Sequence, residues 1–165
     1  MKKIIVLFLL AFLVKSGFGQ DLTKFHLYNP DENAETAIAA TVKRAAAEKK
    51  NVLIQVGGNW CIWCARFYEF VGADNSLDSL MGANYVVYHL NWSKENKNLN
   101  ILARYSYPQR FGYPVFLILD GSGKLLHTQN SWYLEAGKSY DKEKVEAFFK
   151  DWGPQALDPA KYKEE

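Results

Sequence analysis

The 165-residue chain carries two cysteines, three positions apart, in Asn59-Trp60-Cys61-Ile62-Trp63-Cys64. The apolar run Val52-Leu53-Ile54-Gln55-Val56 ends just before them. A Cys-x-x-Cys pair at a strand-to-helix junction sets two sulfurs one helical turn apart, within bonding distance. The first sulfur meets the unpaired N–H groups and the positive dipole end of the helix, and both favour a thiolate. That arrangement suits reversible dithiol–disulfide chemistry. Two thiolates also suit a soft ion such as Cu(I), whereas zinc takes four ligands. His26, His89 and His127 have no paired spacing with one another or with the cysteines, so each reads as a surface or strand histidine. Copper handling by the cysteine pair alone stays open, and no resident metal or cofactor is expected. A purely structural disulfide is a further reading. Closing so short a loop contributes about 2 kcal/mol, against ~4.7 for a loop of roughly 100 residues.

The elements around the pair follow from local pattern. Ala34 to Lys50 is rich in Ala, Glu and Lys, with Ala37, Ile38, Val42 and Ala45 at helical spacing behind the helix-starting Pro30-Asp31-Glu32-Asn33. Asn51 to Val56 reads as a buried strand, Gly57-Gly58-Asn59 as a turn, and Cys61 to Val71 as a helix. A second helical piece is expected around Leu77 to Met81, a buried strand over Tyr85 to Leu90, and a helix over Lys94 to Tyr105. The breaker cluster Phe111-Gly112-Tyr113-Pro114 precedes the strand Val115 to Leu119. Asp120-Gly121-Ser122-Gly123 then turns it into Lys124 to Thr128, a hairpin signal. Ser131 to Ser139 is irregular, and Asp141 to Trp152 is an amphipathic helix with Val145, Phe148 and Phe149 on one face. This order predicts an α/β fold: a central mixed sheet, parallel early and antiparallel late, flanked by helices and preceded by an N-terminal helix.

Compartment is read from the start of the chain. Lys2 and Lys3 precede eleven uninterrupted apolar residues, Ile4 to Val14, and Gly17-Phe18-Gly19 supplies small residues at the positions a signal peptidase reads. Eleven residues are short of the ~20 that cross a bilayer. Residues 1–19 are therefore expected to be a bacterial signal peptide cut before Gln20, residues 20–153 one domain, and residues 154–165 a polar tail. The leader holds three of the 20 basic residues, so the remainder has 17 against 18 acidic and no excess of positive charge for nucleic acid. The expected address is the periplasm or beyond, and the expected state is a monomer. Aromatic residues make up 15% of the chain, many outside the core strands, which points to a binding surface.

Trp60-Cys61-Ile62-Trp63-Cys64 after a buried strand, then Gly112-Tyr113-Pro114 ahead of a strand–Asp-Gly-Ser-Gly–strand hairpin and a closing helix, resembles the thioredoxin superfamily, and in particular its secreted thiol–disulfide oxidoreductases. The resemblance covers about Ala34 to Trp152. It implies that Cys61 is the attacking thiol and Cys64 the resolving one. It further implies that Pro114 is cis and packs against the dithiol, and that Tyr113 presents backbone groups to a bound substrate strand. Trp60, Ile62, Trp63, Tyr113 and Pro114 are the substrate-binding candidates, with Phe111 at the rim and Trp63 expected to face solvent. Partners would be protein thiols and disulfides, plus a membrane or periplasmic redox protein for recycling. The sequence departs from the family at Gln55, where thioredoxins carry a buried acid six positions before the first cysteine, and at Ile62-Trp63, which holds no histidine. A non-catalytic thioredoxin-fold binding module is the alternative to an enzyme.

Overall fold

The computed structural model describes residues 25–163. The expected leader and its cleavage site lie outside the described residues. An irregular lead-in from Phe25 reaches helix α1, Ala34–Glu48. Asn33 caps α1 by accepting the Thr36 N–H, and Lys49 closes it in the left-handed region. Strand β1, Asn51–Gly57, is followed by helices α2, Ile62–Gly72, and α3, Asn75–Asn84, and then by strand β2, Tyr85–Asn91. Helix α4 spans Leu99–Arg104. Strands β3, Val115–Leu119, and β4, Leu125–Asn130, make the hairpin. A short pair, β5 Glu135–Ala136 and β6 Ser139–Tyr140, leads into the last α-helix, α5, Lys142–Asp151.

The main sheet has the order β2-β1-β3-β4, with β1 parallel to β2 and antiparallel to β3. This is the mixed sheet expected from the sequence. Side chains alternate between its faces. Val52, Ile54 and Val56 join Val86, Leu90, Val115 and Leu117 in a core against α1 and α4. Leu53 joins Phe116 and Ile118 on the opposite face, against Phe67, Val71, Leu77, Val145, Phe148 and Phe149 of α2, α3 and α5. Gln55 and Gly57 share the parity of Leu53, so the strand's own period aims both toward α2.

The helix expected over Lys94 to Tyr105 shortens to the six residues of α4. Three asparagines explain the loss, because their side chains compete for the backbone. Asn91 Nδ2 donates to the Asn96 carbonyl, Asn98 Nδ2 donates to the Asn91 carbonyl, and Asn96 Nδ2 reaches the Pro30 carbonyl in the lead-in. Asn98 itself sits at φ 49°, outside helical space. The segment is thereby fastened to the end of β2 beside the cysteines.

Candidate active site

The cysteines close a disulfide, with their Cα atoms 5.2 Å apart. Cys61 is the N-cap of α2, and its Sγ accepts the Cys64 N–H at 3.2 Å. The sulfur thus occupies the place where Ser or Asp normally caps a helix. The first of the two is 3% exposed and the second fully buried. In the closed bond both cysteines are buried.

Two aromatic groups flank the disulfide. On one side Trp60, 49% exposed, donates its Nε1–H to the Trp92 carbonyl at 2.8 Å. Its ring meets Trp92 and Tyr113 edge-on, with centroids 5.8 and 5.4 Å away, and Trp92 and Tyr113 lie 5.0 Å apart. Such edge-to-face geometry fixes rings more firmly than contact area alone. Tyr113 also packs against the cysteine cluster, and burial pushes its phenol up to about 12. The Tyr113–Pro114 bond is cis, and Pro114 is buried. On the other side the expectation for Trp63 is corrected. Its ring is half-buried, edge-on to Tyr140 at 5.7 Å, with the Arg66 guanidinium 4.6 Å from the centroid. Tyr140 Oη donates to the Trp63 carbonyl at 3.1 Å, so β6 holds this tryptophan against the domain. Ile62, between the two cysteines in sequence, is half-buried. Phe111 is exposed, with Arg110 over its ring at 4.2 Å, and belongs to neither main core cluster.

Beneath the disulfide, Gln55 is 2% exposed and its Nε2 donates to the Cys64 carbonyl at 3.3 Å. It is therefore a neutral neighbour of the buried sulfur. Its register partner on β2 is His89, whose imidazole is held down to about 4 by burial. Among the described residues no cluster of three or more His, Cys, Asp or Glu side chains gathers as a metal site.

Sequence reasoning did not find Tyr28, Asn59, His89 or Trp92 as part of this neighbourhood. Asn59 Oδ1 accepts the Tyr28 N–H at 3.0 Å and Asn59 Nδ2 donates to the Tyr28 carbonyl at 2.9 Å. This clasp docks the lead-in beside the cysteines. The local sequence offers only two large rings, Phe25 and Tyr28, ahead of Pro30, and nothing in it places them at the cysteines.

A profile of the thioredoxin-like family matches residues 33–121. Among solved structures, the disulphide isomerase from Xylella fastidiosa Temecula1 is 20% identical and superposes with a TM-score of 0.67, the match covering 77% of this chain and 97% of that one. The oxidised C-terminal domain of DsbD from Neisseria meningitidis is 14% identical, with a TM-score of 0.52 over 72% of this chain and 95% of that one. At these identities the likeness is one of fold. No curated protein matches the sequence. The family match runs from α1 to the turn after β3, takes in both cysteines and Pro114, and spans more than half of the sequence, so the chain belongs to the thioredoxin-like family.

Proposed function

We propose that this protein is a secreted, periplasmic thiol–disulfide oxidoreductase that reduces disulfides in other proteins. The observation that carries the reading is Cys61 Sγ at the N-cap of α2, accepting the Cys64 N–H. In the dithiol the same N–H and the helix dipole stabilise a Cys61 thiolate. That thiolate attacks one sulfur of a substrate disulfide. The Cys61–substrate bond forms, and the other substrate sulfur leaves with the electron pair of the broken bond and takes a proton from water. Cys64, its proton lost, then attacks Cys61 Sγ. The Cys61–Cys64 bond forms, and the remaining substrate sulfur leaves as a thiolate. The substrate gains two electrons and the enzyme pair loses two. A membrane or periplasmic redox partner restores the dithiol.

Trp60, Ile62, Trp63, Tyr113 and Pro114 are the substrate-binding surface in this reading, supported by the aromatic contacts around Trp60 and Tyr113. An extended substrate segment pairs with the Tyr113 backbone as an added strand. The reductive direction is favoured by Ile62-Trp63, which places no histidine between the sulfurs to depress the Cys61 thiol further. The leader over residues 1–19 supports export, leaving the domain over residues 20–153, the tail beyond it, and a monomeric protein with no affinity for nucleic acid. Trapping tests the assignment. Cys64→Ser should accumulate mixed disulfides with partner proteins, read by mass spectrometry, and Cys61→Ser should not. Equal trapping by both variants would overturn the roles, and trapping by neither would favour a non-catalytic binding module.

A further inference from the structure

Tyr28 stands out because its hydroxyl is buried and unused. The residue is 3% exposed, and its Oη has no hydrogen-bond partner. Buried hydroxyls are nearly always paired, since an unpaired one forfeits its hydration without return. The residue is nevertheless held firmly in place. Asn59 clasps its backbone from both sides, and its ring is edge-on to Phe25 at 6.1 Å and to His89 at 5.5 Å. The neighbouring amide is Gln55: its Nε2 donates to the Cys64 carbonyl, and its side chain pulls the Tyr28 phenol down against the larger upward effect of burial.

The hydroxyl and the buried sulfur lie beside the same glycine. A Cβ on Gly57 would stand 2.4 Å from Cys64 Sγ and 2.8 Å from Tyr28 Oη, so both atoms face the same small space beside that glycine. Tyr28, Cys61 and Cys64 belong to one buried cluster. In the disulfide, Cys64 Sγ is neutral and a weak acceptor, and the hydroxyl proton is not given to it. Once the disulfide opens, the same sulfur carries charge each time the dithiol turns over.

We propose that Tyr28 Oη is the hydrogen-bond donor that stabilises the Cys64 thiolate, a positioning residue for the resolving step that takes the place of a buried carboxylate. The inference rests on the redox reading above. In the mixed disulfide, Cys64 gives its proton to water and its thiolate accepts the Tyr28 O–H. Its lone pair then forms the Cys61–Cys64 bond as the Cys61–substrate bond breaks, and the substrate sulfur carries that electron pair away. The phenol keeps its proton throughout. Burial holds it well above the ordinary tyrosine value, so it acts as a donor and never as the base. The titratable or charged groups around Tyr28 and the sulfurs include Cys61, His89 of β2, Tyr68 of α2 beside Phe25, Tyr113 ahead of β3, Tyr140 of β6, and Arg66 of α2 near Trp63. His89 is neutral near pH 7, because burial disfavours its charged form, and it supplies no competing cation.

Tyr28→Phe retains the ring and removes the hydroxyl. In the mature protein the Cys61–glutathione mixed disulfide is prepared, and its resolution by Cys64 is followed across pH. A hydrogen bond to a charged group is worth at least about tenfold in an equilibrium. Resolution in Tyr28→Phe should therefore be about tenfold slower at neutral pH, with the Cys64 titration shifted to higher pH and the alkylation rate of Cys61 in a Cys64→Ser background unchanged. An identical pH profile and rate in wild type and Tyr28→Phe would overturn the inference. If wild type itself never resolves the mixed disulfide, the redox reading fails instead. In wild type, independently of any variant, the Tyr28 Cζ carbon resonance should move on reduction and titrate with Cys64. An unmoved resonance would also overturn the inference.

Discussion

Gln55 occupies the position where a carboxylate would be the simplest acceptor for the Cys64 proton, and it is an amide that donates to the Cys64 carbonyl instead. Gln55→Glu would place a carboxyl there whose burial raises its pKa toward neutrality. As a general base it should speed reduction of an insulin-type disulfide at neutral pH by roughly tenfold or more. The variant should lose about 1–3 kcal/mol of stability, because the Cys64 carbonyl loses its donor. An unchanged rate in a folded variant would mean the proton leaves by another route. His89 makes a pH prediction with a definite sign. Burial lowers its pKa from 6.5 to about 4, so between those values the unfolded chain binds the extra proton. Its contribution is complete above pH 6.5 and is lost as pH falls toward 4, by at most about 3 kcal/mol. His89→Phe keeps a ring against Tyr28 and removes the titration. Denaturant melts of both proteins across this range should show a steeper acid loss for wild type, and parallel curves would contradict the assignment.

At the scale of elements, the period of β1 does much of the positioning. Its apolar residues announced a buried strand, and the alternation of Leu53, Gln55 and Gly57 toward one face follows from that strand alone. Gly57 ends the strand where α2 and the lead-in converge, and a methyl group there would collide with Cys64 Sγ and Tyr28 Oη. Gly57→Ala should cost about 1–3 kcal/mol as an overpacked core site does. It should also slow thiol–disulfide exchange, measured on the folded variant with a small disulfide such as oxidised glutathione. A variant as stable and as fast as wild type would show that the space beside the disulfide is not tight. The cysteine helix, the hairpin and α5 were legible because caps, turn residues and apolar spacing agree locally. The stretch Lys94 to Asn98 was not, since its helical composition is overruled by asparagine side chains bonded to β2 and the lead-in. The place of Tyr28 beside the cysteines was beyond local pattern, as its anchor lies 31 positions along the chain. Trp63 was misplaced for the same reason, its wall being Tyr140 of β6, 77 positions away.

On the scale of the whole molecule, helices cover both faces of one mixed sheet, and the disulfide sits where β1 hands over to α2. The lead-in, the end of β2, the Tyr113–Pro114 turn and β6 all close on that corner, although they come from every part of the described chain. A disulfide that merely stapled the fold would have no use for this convergence, and the loop it closes is too short to contribute much entropy. The central claim is that the bond between Cys61 and Cys64 opens and closes in function. Equilibration of the purified protein in dithiothreitol redox buffers, read by thiol alkylation and mass, tests it directly. The account predicts reversible opening with an apparent potential above about −300 mV, the level below which structural disulfides lie. A bond that stays closed until the protein unfolds, or a potential well below that level, would contradict it.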